Sequence, residues 1–266
     1  MNMRRKTDRR KAPLHDLLGQ LDIAFVIDTT GSMQPYIDEA KHYAADIAER
    51  VAKDNQLNIR YAVVAYRDHP PQDNTYVTKI YPFGDAQDLR TALTHLNAMG
   101  GGDRPEAVYD GVEAAISLTW RNKADRLIYL IGDSPPHGMH GQFSDGFPQG
   151  CPCGLTSAGL SVRLRSNGIE LNGFSIENAT DTTAAFELLA HATGGTVAVG
   201  NHPRMMSSSY GSTMTSHSDS VSDTRVIANC MTTYGLNYED AAAKLGWSTD
   251  KSTLVGTYMT RRGLKT

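Results

Sequence analysis

Oxygen-bearing side chains follow an apolar run near the start of the sequence. Residues 23–27 have the length and the β-branched content of a buried strand, and Asp28, Thr30 and Ser32 follow it at alternate positions. One carboxylate and two hydroxyls are hard oxygen ligands, which suit Mg²⁺, Mn²⁺ or Ca²⁺ better than a soft metal. The alternative is helix capping, because Ser and Thr before a helix commonly accept hydrogen bonds from its free backbone N–H groups.

Two further carboxylates stand at comparable places in the chain. Asp133 ends the apolar run that begins at residue 126, and Asp103 follows three glycines and precedes a predicted helix. In open α/β sheets, ligands bind outside the carboxyl ends of the strands, so we expect Asp28, Asp103 and Asp133 on one rim. Three carboxylates crowded on one rim repel each other unless a cation is present.

Strands and helices alternate along the chain and must position these residues. After the first strand, the apolar patterns predict strands at residues 58–66, 76–81, 126–131, 169–176 and 196–199, with helices between most of them. The strand at 76–81 is the more polar and is predicted to lie at an edge. Such alternation predicts an α/β fold with a parallel sheet covered by helices on both faces.

Three ordered segments together resemble one protein family. Asp28-x-Thr30-x-Ser32, residues 100–106 (GGGDRPE) and residues 127–133 (LIYLIGD) are similar to the metal-ion-dependent adhesion site of von Willebrand factor type A domains. The segment GGGDRPE most resembles the branch found in hemicentins and in domains attached to atypical alpha-kinases, and residues 65–71 (AYRDHPP) resemble the kinase-linked branch. The resemblance covers about residues 21–200 and implies a Rossmann-like, doubly wound, mostly parallel sheet.

The resemblance also implies a set of ligands for the divalent ion. It implies that Thr30 and Ser32 bind the ion directly or through water, while Asp28 and Asp133 act mostly through waters or as acceptors around it. One coordination position would stay open for a carboxylate of a partner protein. Asp103 stands where integrin-type domains have a threonine, and a third carboxylate should weaken the attraction for an acidic partner and make Ca²⁺ more plausible.

A charged turn after the second predicted strand is a candidate contact for a partner. Arg67, Asp68 and His69 are expected on the same rim as the metal site. The alternative is turn chemistry with a structural ion pair.

The loop at residues 134–154 contains a second possible metal site. His137, His140, Cys151 and Cys153 together offer the two His and two Cys ligands of a tetrahedral Zn²⁺ site. The Cys-x-Cys spacing is tighter than usual, and the alternative is a reduced loop without a metal.

Composition limits the environment and the partners of the chain. Its 266 residues carry a net charge of −3, which by itself indicates no class of partner. Three cysteines do not form a disulfide framework, and the basic N-terminus is not followed by the apolar stretch of a secretory signal, so we expect a cytoplasmic location. No apolar run approaches membrane-spanning length, so we expect no membrane partner.

The sequence divides into four regions. Residues 1–20 form a basic extension, predicted to be a disordered tail, whose alternative role is contact with an acidic partner or nucleic acid. Residues 21–200 form the α/β domain, residues 201–224 a Ser/Thr-rich linker, and residues 225–266 a tail with one short helix at 238–247.

These observations favour a non-enzymatic module that binds another protein through a divalent metal and recruits or scaffolds partners. A second hypothesis is a metal-assisted hydrolase or phosphoryl-transfer enzyme, for which His69 is the only plausible general base. A third is an accessory subunit of a separately encoded ATPase or kinase machine.

Overall fold

A computed structural model describes residues 19–52, 57–139, 145–177, 179–200, 231 and 236–246. The strands of these residues are β1 (Gly19–Asp28), β2 (Leu57–Tyr66), β3 (Thr78–Gly84), β4 (Asp125–Gly132), β5 (Ile169–Ile176) and β6 (Val197–Gly200). The helices are α1 (Ile37–Ala52), α2 (Ala86–Thr94), α3 (Val108–Ile116), α4 (Ser157–Ser166), α5 (Thr180–Thr193) and α6 (Tyr238–Lys244).

In the described residues, six strands form one sheet in the order β3-β2-β1-β4-β5-β6. Every neighbouring pair is parallel except β2 and β3, which are antiparallel. This confirms the predicted mostly parallel α/β sheet. The predicted polar edge strand is also an edge strand, and it starts later than expected, at Thr78.

Helices cover both faces of the sheet, so the central strands are buried on both sides. Alternate residues of β1 point to opposite sides: Ile23, Phe25 and Ile27 pack with α1 and α2, while Ala24 and Val26 pack with α3, α4 and α5. Strands buried on both sides read as continuous apolar runs, as β1 does. The doubly wound arrangement is therefore confirmed.

The segments outside the α/β domain are described only in part. Strand β1 begins at Gly19, slightly before the predicted start of the domain. The predicted basic extension up to residue 18 and the predicted linker 201–224 lie outside the described residues. In the tail, α6 begins at Tyr238 as predicted, and Tyr238, Ala241 and Ala242 form a small apolar cluster with Met231, Leu236 and Leu245.

Helices of the described residues do not reach the length and apolar character that a bilayer crossing requires.

Candidate metal centre

The carboxyl ends of β1 and β4 lie side by side in the middle of the sheet. Chain connections leave β1 towards β2 on one side, and β4 pairs with β1 on the other, so a crevice opens between the two ends. Asp28 is the last residue of β1, and Asp133 directly follows Gly132, the last residue of β4. The topology therefore brings these two predicted ligands together.

The turn after β1 is held by the carboxyl group of Asp28. Its Oδ1 atom accepts hydrogen bonds from the backbone N–H of Thr30, at 2.9 Å, and from the hydroxyl of Thr30, at 2.7 Å. The Thr30 hydroxyl also lies 3.2 Å from the hydroxyl of Ser32. Thr30 precedes a short 3-10 helix at residues 31–33, but its side chain accepts no hydrogen bond from that helix. Simple helix capping therefore does not account for Thr30.

The two aspartates disfavour each other's charge. Asp28 is fully buried, and burial followed by the nearby charge of Asp133 raises its pKa to about 8. Burial also raises the pKa of Asp133, although hydrogen bonds from Ser32 and Ser134 oppose the rise. A bound cation would remove this repulsion and favour the ionised carboxylates.

A third carboxyl group, that of Glu106, completes the buried cluster. Its residue is 2% exposed, and its pKa is raised to about 11 by burial first and then by Asp28, Asp68, Asp133 and Asp103. The Oε2 atom is buried without a hydrogen-bond partner among the described residues. Glu106 belongs to the segment GGGDRPE but was not among the predicted ligands. Its position after the proline of that segment was the signal that could have identified it.

Backbone contacts explain how Glu106 reaches the interior. Its N–H donates to the carbonyl of Pro135 at 2.9 Å, and the two segments form a parallel bridge at Pro136. The chain therefore passes next to the segment after β4, at Pro135 and Pro136, before it enters α3, which begins at Val108.

The glycine loop before Glu106 packs directly on the turn after β1. The N–H of Gly31 donates to the carbonyl of Gly100 at 2.9 Å, and Gly100 and Gly101 have φ angles of 78° and 75°. A Cβ atom on Gly101 would lie 2.8 Å from Oε1 of Glu106 and 3.3 Å from Cβ of Thr30. Glycine is required because of both the left-handed backbone and the close approach.

The structure places Asp103 beside this cluster, in the lining of the cleft. Asp103 lines the same cleft as Ser32 and Asp133, yet its Oδ2 accepts from the N–H of Gly146. Burial raises the pKa of Asp103, and the adjacent carboxyl of Asp68 adds to the rise. The structure thus brings Asp28, Thr30, Ser32 and Asp133 together. Asp103 lines the same cleft, and its charge contributes to the raised pKa of Glu106, which was not a predicted ligand.

The cleft outside the cluster is open and acidic. Its volume is about 520 Å³, and its lining includes four acidic residues, namely Asp103, Glu106, Asp133 and Glu177. Arg104 also lines it, but the guanidinium is paired with Asp181 of α5. Hydroxyls and carboxylates around an orphaned, buried Glu106 oxygen are the donor set of a hard divalent cation. The residues present therefore fit such an ion.

Arg67, Asp68 and His69 do not form the predicted partner surface, because all three are buried. The guanidinium of Arg67 donates to the carbonyls of Thr29 at 3.1 Å and Asn97 at 3.0 Å. These hydrogen bonds hold the loops that contain Thr29 and Asn97. This is the structural role that the alternative interpretation gave to the turn.

The predicted zinc ligands are separated in part. The two ring nitrogens of His137 lie 2.6 Å from Asp68 and 2.9 Å from Asp145, so His137 does not face the two cysteines. Burial alone would lower the pKa of His137, but these two hydrogen bonds outweigh it and raise the pKa. His140 lies outside the described residues. Cys151 and Cys153 instead lie beside His69 and Asp110.

The fold and the cleft define a class of protein: a doubly wound α/β domain with an oxygen-rich cleft at its topological switch point. Residues 22–142 match the family model described as the von Willebrand factor A domain. This chain therefore has a von Willebrand factor A domain, as the sequence motifs indicated. Such domains are generally protein-interaction modules and often bind a divalent metal.

Relatives of known name share this domain but are much longer. The chain is 31% identical over 137 residues to alpha-protein kinase vwkA of Dictyostelium discoideum, which is 51% of this chain and 22% of the kinase. It is 30% identical over 112 residues to von Willebrand factor A domain-containing protein 7 of Homo sapiens, which is 42% of this chain and 12% of that protein. The matched segments thus span under a quarter of either relative.

Solved structures with low sequence identity share the fold. Proximal thread matrix protein 1 of the mussel byssus has a TM-score of 0.51 at 16% identity, covering 72% of this chain and 44% of that chain. The pilus adhesin SpaC of Lactobacillus rhamnosus GG has a TM-score of 0.54 at 10% identity, covering 74% of this chain and 30% of that chain.

Gly132, the last residue of β4, lies close to side chains of β1 and β2. A Cβ atom there would lie 2.4 Å from the Tyr66 hydroxyl and 3.2 Å from Cβ of Asp28. We therefore expect Gly132→Ala to destabilise the domain by about 1–3 kcal/mol. Urea unfolding measures the free energy of unfolding of this variant. Gly168→Ala is a comparison for backbone strain alone, because its site has a φ of 61° and no close neighbours. A Gly132→Ala variant as stable as the parent would contradict the close approach.

Proposed function

We propose that the cleft at the ends of β1 and β4 binds Mg²⁺, Mn²⁺ or Ca²⁺, and that this ion forms part of a surface for another protein. The observation that supports this most is the convergence of three buried carboxyl groups, those of Asp28, Glu106 and Asp133, on the hydroxyls of Thr30 and Ser32. Buried carboxyls with raised pKa values and no basic neighbour in contact gain most from a cation.

Each side chain has a distinct part in this proposal. Thr30 and Ser32 supply neutral oxygens to the ion, and Ser32 is exposed at the mouth of the cleft. The three carboxyls compensate its charge from below, either directly or through water. When bound, the ion supplies a Lewis-acidic position that a carboxylate of the partner would complete. Because Asp103 and Glu177 also line the mouth, a partner that presents basic residues around that carboxylate fits this surface best.

The catalytic alternative has less support. Its general base would be His69, but this residue is buried, is not part of the described lining of the cleft, and has its Nε2 atom 3.0 Å from Asp110. We therefore propose that this chain binds and recruits without catalysis of its own. One relative is named as an alpha-protein kinase, and we also propose that this chain acts inside the cell beside a kinase or ATPase that is encoded separately.

Metal-dependent capture tests this function. Immobilised protein is incubated with a lysate of the source cells in Mg²⁺ and in chelator, and bound proteins are identified by mass spectrometry. We expect specific partners only with metal, and none with Asp28→Asn. Glu49→Gln is the matched control, because it removes an exposed carboxylate near the far end of α1.

Hydrolysis assays with a generic phosphoester and a peptide distinguish the enzyme alternative. We expect no turnover in any of the three metals. Turnover that requires metal and is lost in Asp28→Asn would favour the hydrolase, and capture that persists in chelator would exclude a metal-dependent surface.

A further inference from the structure

Four side chains with metal-binding atoms converge beside the cleft but outside its lining. His69 comes from the loop after β2, Asp110 from the first turn of α3, and Cys151 and Cys153 from the loop between β4 and α4. One nitrogen, one oxygen and two sulfur atoms of these residues all lie within 4.8 Å of one another. Ligand atoms that share one ion must be this close together.

The individual distances suit a tetrahedral ion. Asp110 Oδ2 lies 3.0 Å from His69 Nε2 and 3.1 Å from Cys151 Sγ, and Cys151 Sγ lies 3.8 Å from His69 Nε2. Zinc bonds of about 2.0 Å to nitrogen or oxygen and 2.3 Å to sulfur place tetrahedral ligands about 3.3–3.8 Å apart. The observed separations therefore require only small adjustments around a central ion.

The local backbone turns both sulfur atoms to the same side. The N–H of Gly154 donates to the carbonyl of Cys151 at 2.8 Å, which closes a turn around Pro152 and Cys153. Gly150 and Gly154 on either side have φ angles of 106° and 72°, which suit glycine. Cys153 thereby comes within hydrogen-bonding reach of both Asp110 and Cys151. The short Cys-x-Cys spacing is thus compatible with two ligands to one ion.

A nucleophilic cysteine is the competing interpretation, since Cys151, His69 and Asp110 are the residue types of a catalytic triad. In a triad, the acid binds the ring nitrogen that faces away from the nucleophile. Here Asp110 contacts the same Nε2 atom that lies nearest Cys151, and the thiol itself donates to Asp110. The contacts of Asp110 are therefore not those of the acid in a triad.

We propose that His69, Asp110, Cys151 and Cys153 form a structural zinc site that is separate from the divalent-cation centre at Asp28. Two thiolates and one imidazole select zinc over the hard cations that suit the cleft. Zinc binding displaces the two thiol protons, which leave to solvent. The exposed position of Cys153 gives the ion a route of entry.

This ion would join three segments around the cleft: the loop after β2, the first turn of α3 and the loop between β4 and α4. Asp68, the neighbour of His69, contacts His137 at 2.6 Å, and Asp103 accepts from Gly146 in the loop that leads to Cys151. Zinc at this place therefore fixes the loops that carry Asp103 and the wall of the cleft. It supports the protein-binding surface from outside, without contact with the partner.

Metal analysis of the full chain tests the proposal. Protein expressed with zinc and purified without chelator is expected to contain one zinc per chain. Cys153→Ser, which alters an exposed residue, should reduce zinc content at least tenfold, and Cys151→Ser should do the same if it folds. Two controls should keep the zinc: Cys230→Ser, which removes the remaining cysteine of the sequence, and Asp28→Asn, which alters the cleft.

Cobalt substitution gives an independent readout of the ligands. Protein stripped of zinc and reloaded with Co²⁺ is expected to show the intense visible bands of a tetrahedral site and thiolate-to-cobalt charge transfer. Both signals should be weakened in Cys153→Ser and unchanged in Asp28→Asn. Protein that contains no zinc and binds Co²⁺ without thiolate charge transfer would overturn the proposal. That result leaves the metal response of the cleft intact, so it is distinguishable from a failure of the proposed function.

Discussion

Replacing Asp28 with asparagine is expected to abolish the stabilisation of this domain by divalent cations. An ion that binds only the folded chain stabilises it by about 2.7 kcal/mol at a hundredfold excess over its Kd. The parent should gain this free energy of unfolding in at least one of Mg²⁺, Mn²⁺ and Ca²⁺. The variant should gain almost none, because it loses one of the three carboxyls that compensate the ion.

Asparagine is the informative substitution because it retains a carbonyl oxygen. That oxygen can still accept from the backbone N–H and hydroxyl of Thr30, which an alanine would leave unpaired in a buried turn. Burial and Asp133 raise the pKa of Asp28, so burying this carboxyl without a metal costs free energy that a neutral asparagine avoids. The variant in chelator should therefore be at least as stable as the parent.

Thermal unfolding in chelator and in each metal is the measurement. A parent whose Tm does not respond to any of the three ions at millimolar concentration would show that the carboxyl cluster is not a metal site. An Asp28→Asn variant with the full metal response of the parent would show that the ion binds elsewhere.

Asp22→Asn, at the opposite end of β1, is expected to lower the stability of the domain without changing its response to metal. Asp22 is fully buried, and its two oxygens accept from Arg60 at 2.7 and 3.1 Å and from Arg121 at 2.8 and 2.9 Å. The amide nitrogen of asparagine cannot accept hydrogen bonds, so the N–H groups of Arg60 and Arg121 that face it lose their acceptor. Because both arginine side chains are partly exposed, we expect a loss of about 3 kcal/mol, at the lower end for a broken buried ion pair.

The pH dependence of this loss has a definite sign. Burial opposes ionisation of Asp22, but the hydrogen bonds from Arg60 and Arg121 outweigh it and lower the pKa below its ordinary value. The pair therefore stabilises the fold above the unfolded pKa of about 3.9 and loses this contribution as the pH falls towards the folded pKa.

Urea unfolding of parent and Asp22→Asn between neutral pH and pH 3 tests this prediction. The difference between them should be largest at neutral pH and should shrink in acid, while the Tm shift on adding metal stays that of the parent. A difference that is constant with pH would show that the loss is caused by packing and not by the ion pairs.

The sequence alone indicated the fold class and most residues of the candidate metal centre. The apolar run of β1 and the alternation of strands with helices predict a parallel sheet, because only strands buried on both faces read this way. Parallel strands end on one rim, so the sequence placed Asp28 and Asp133 on the same rim, and the pairing of β1 with β4 puts them side by side. Thr30 and Ser32 lie in the same turn as Asp28, so their proximity to Asp28 also follows from the sequence.

Only the tertiary structure decided which side chains outside these turns belong to the candidate metal centre and to the second cluster. Glu106 becomes buried because its backbone pairs with the chain after β4, and Asp103 turns to Gly146, a contact across 43 residues of sequence. His69 meets Cys151 across 82 residues, and Asp110 meets Cys151 across 41. Hydrophobic periodicity reports the burial of each element separately, and it contains no information on which loops approach each other once the elements pack. The direction of a loop side chain depends on those long-range contacts, so the second cluster could not be read from the spacing of the cysteines.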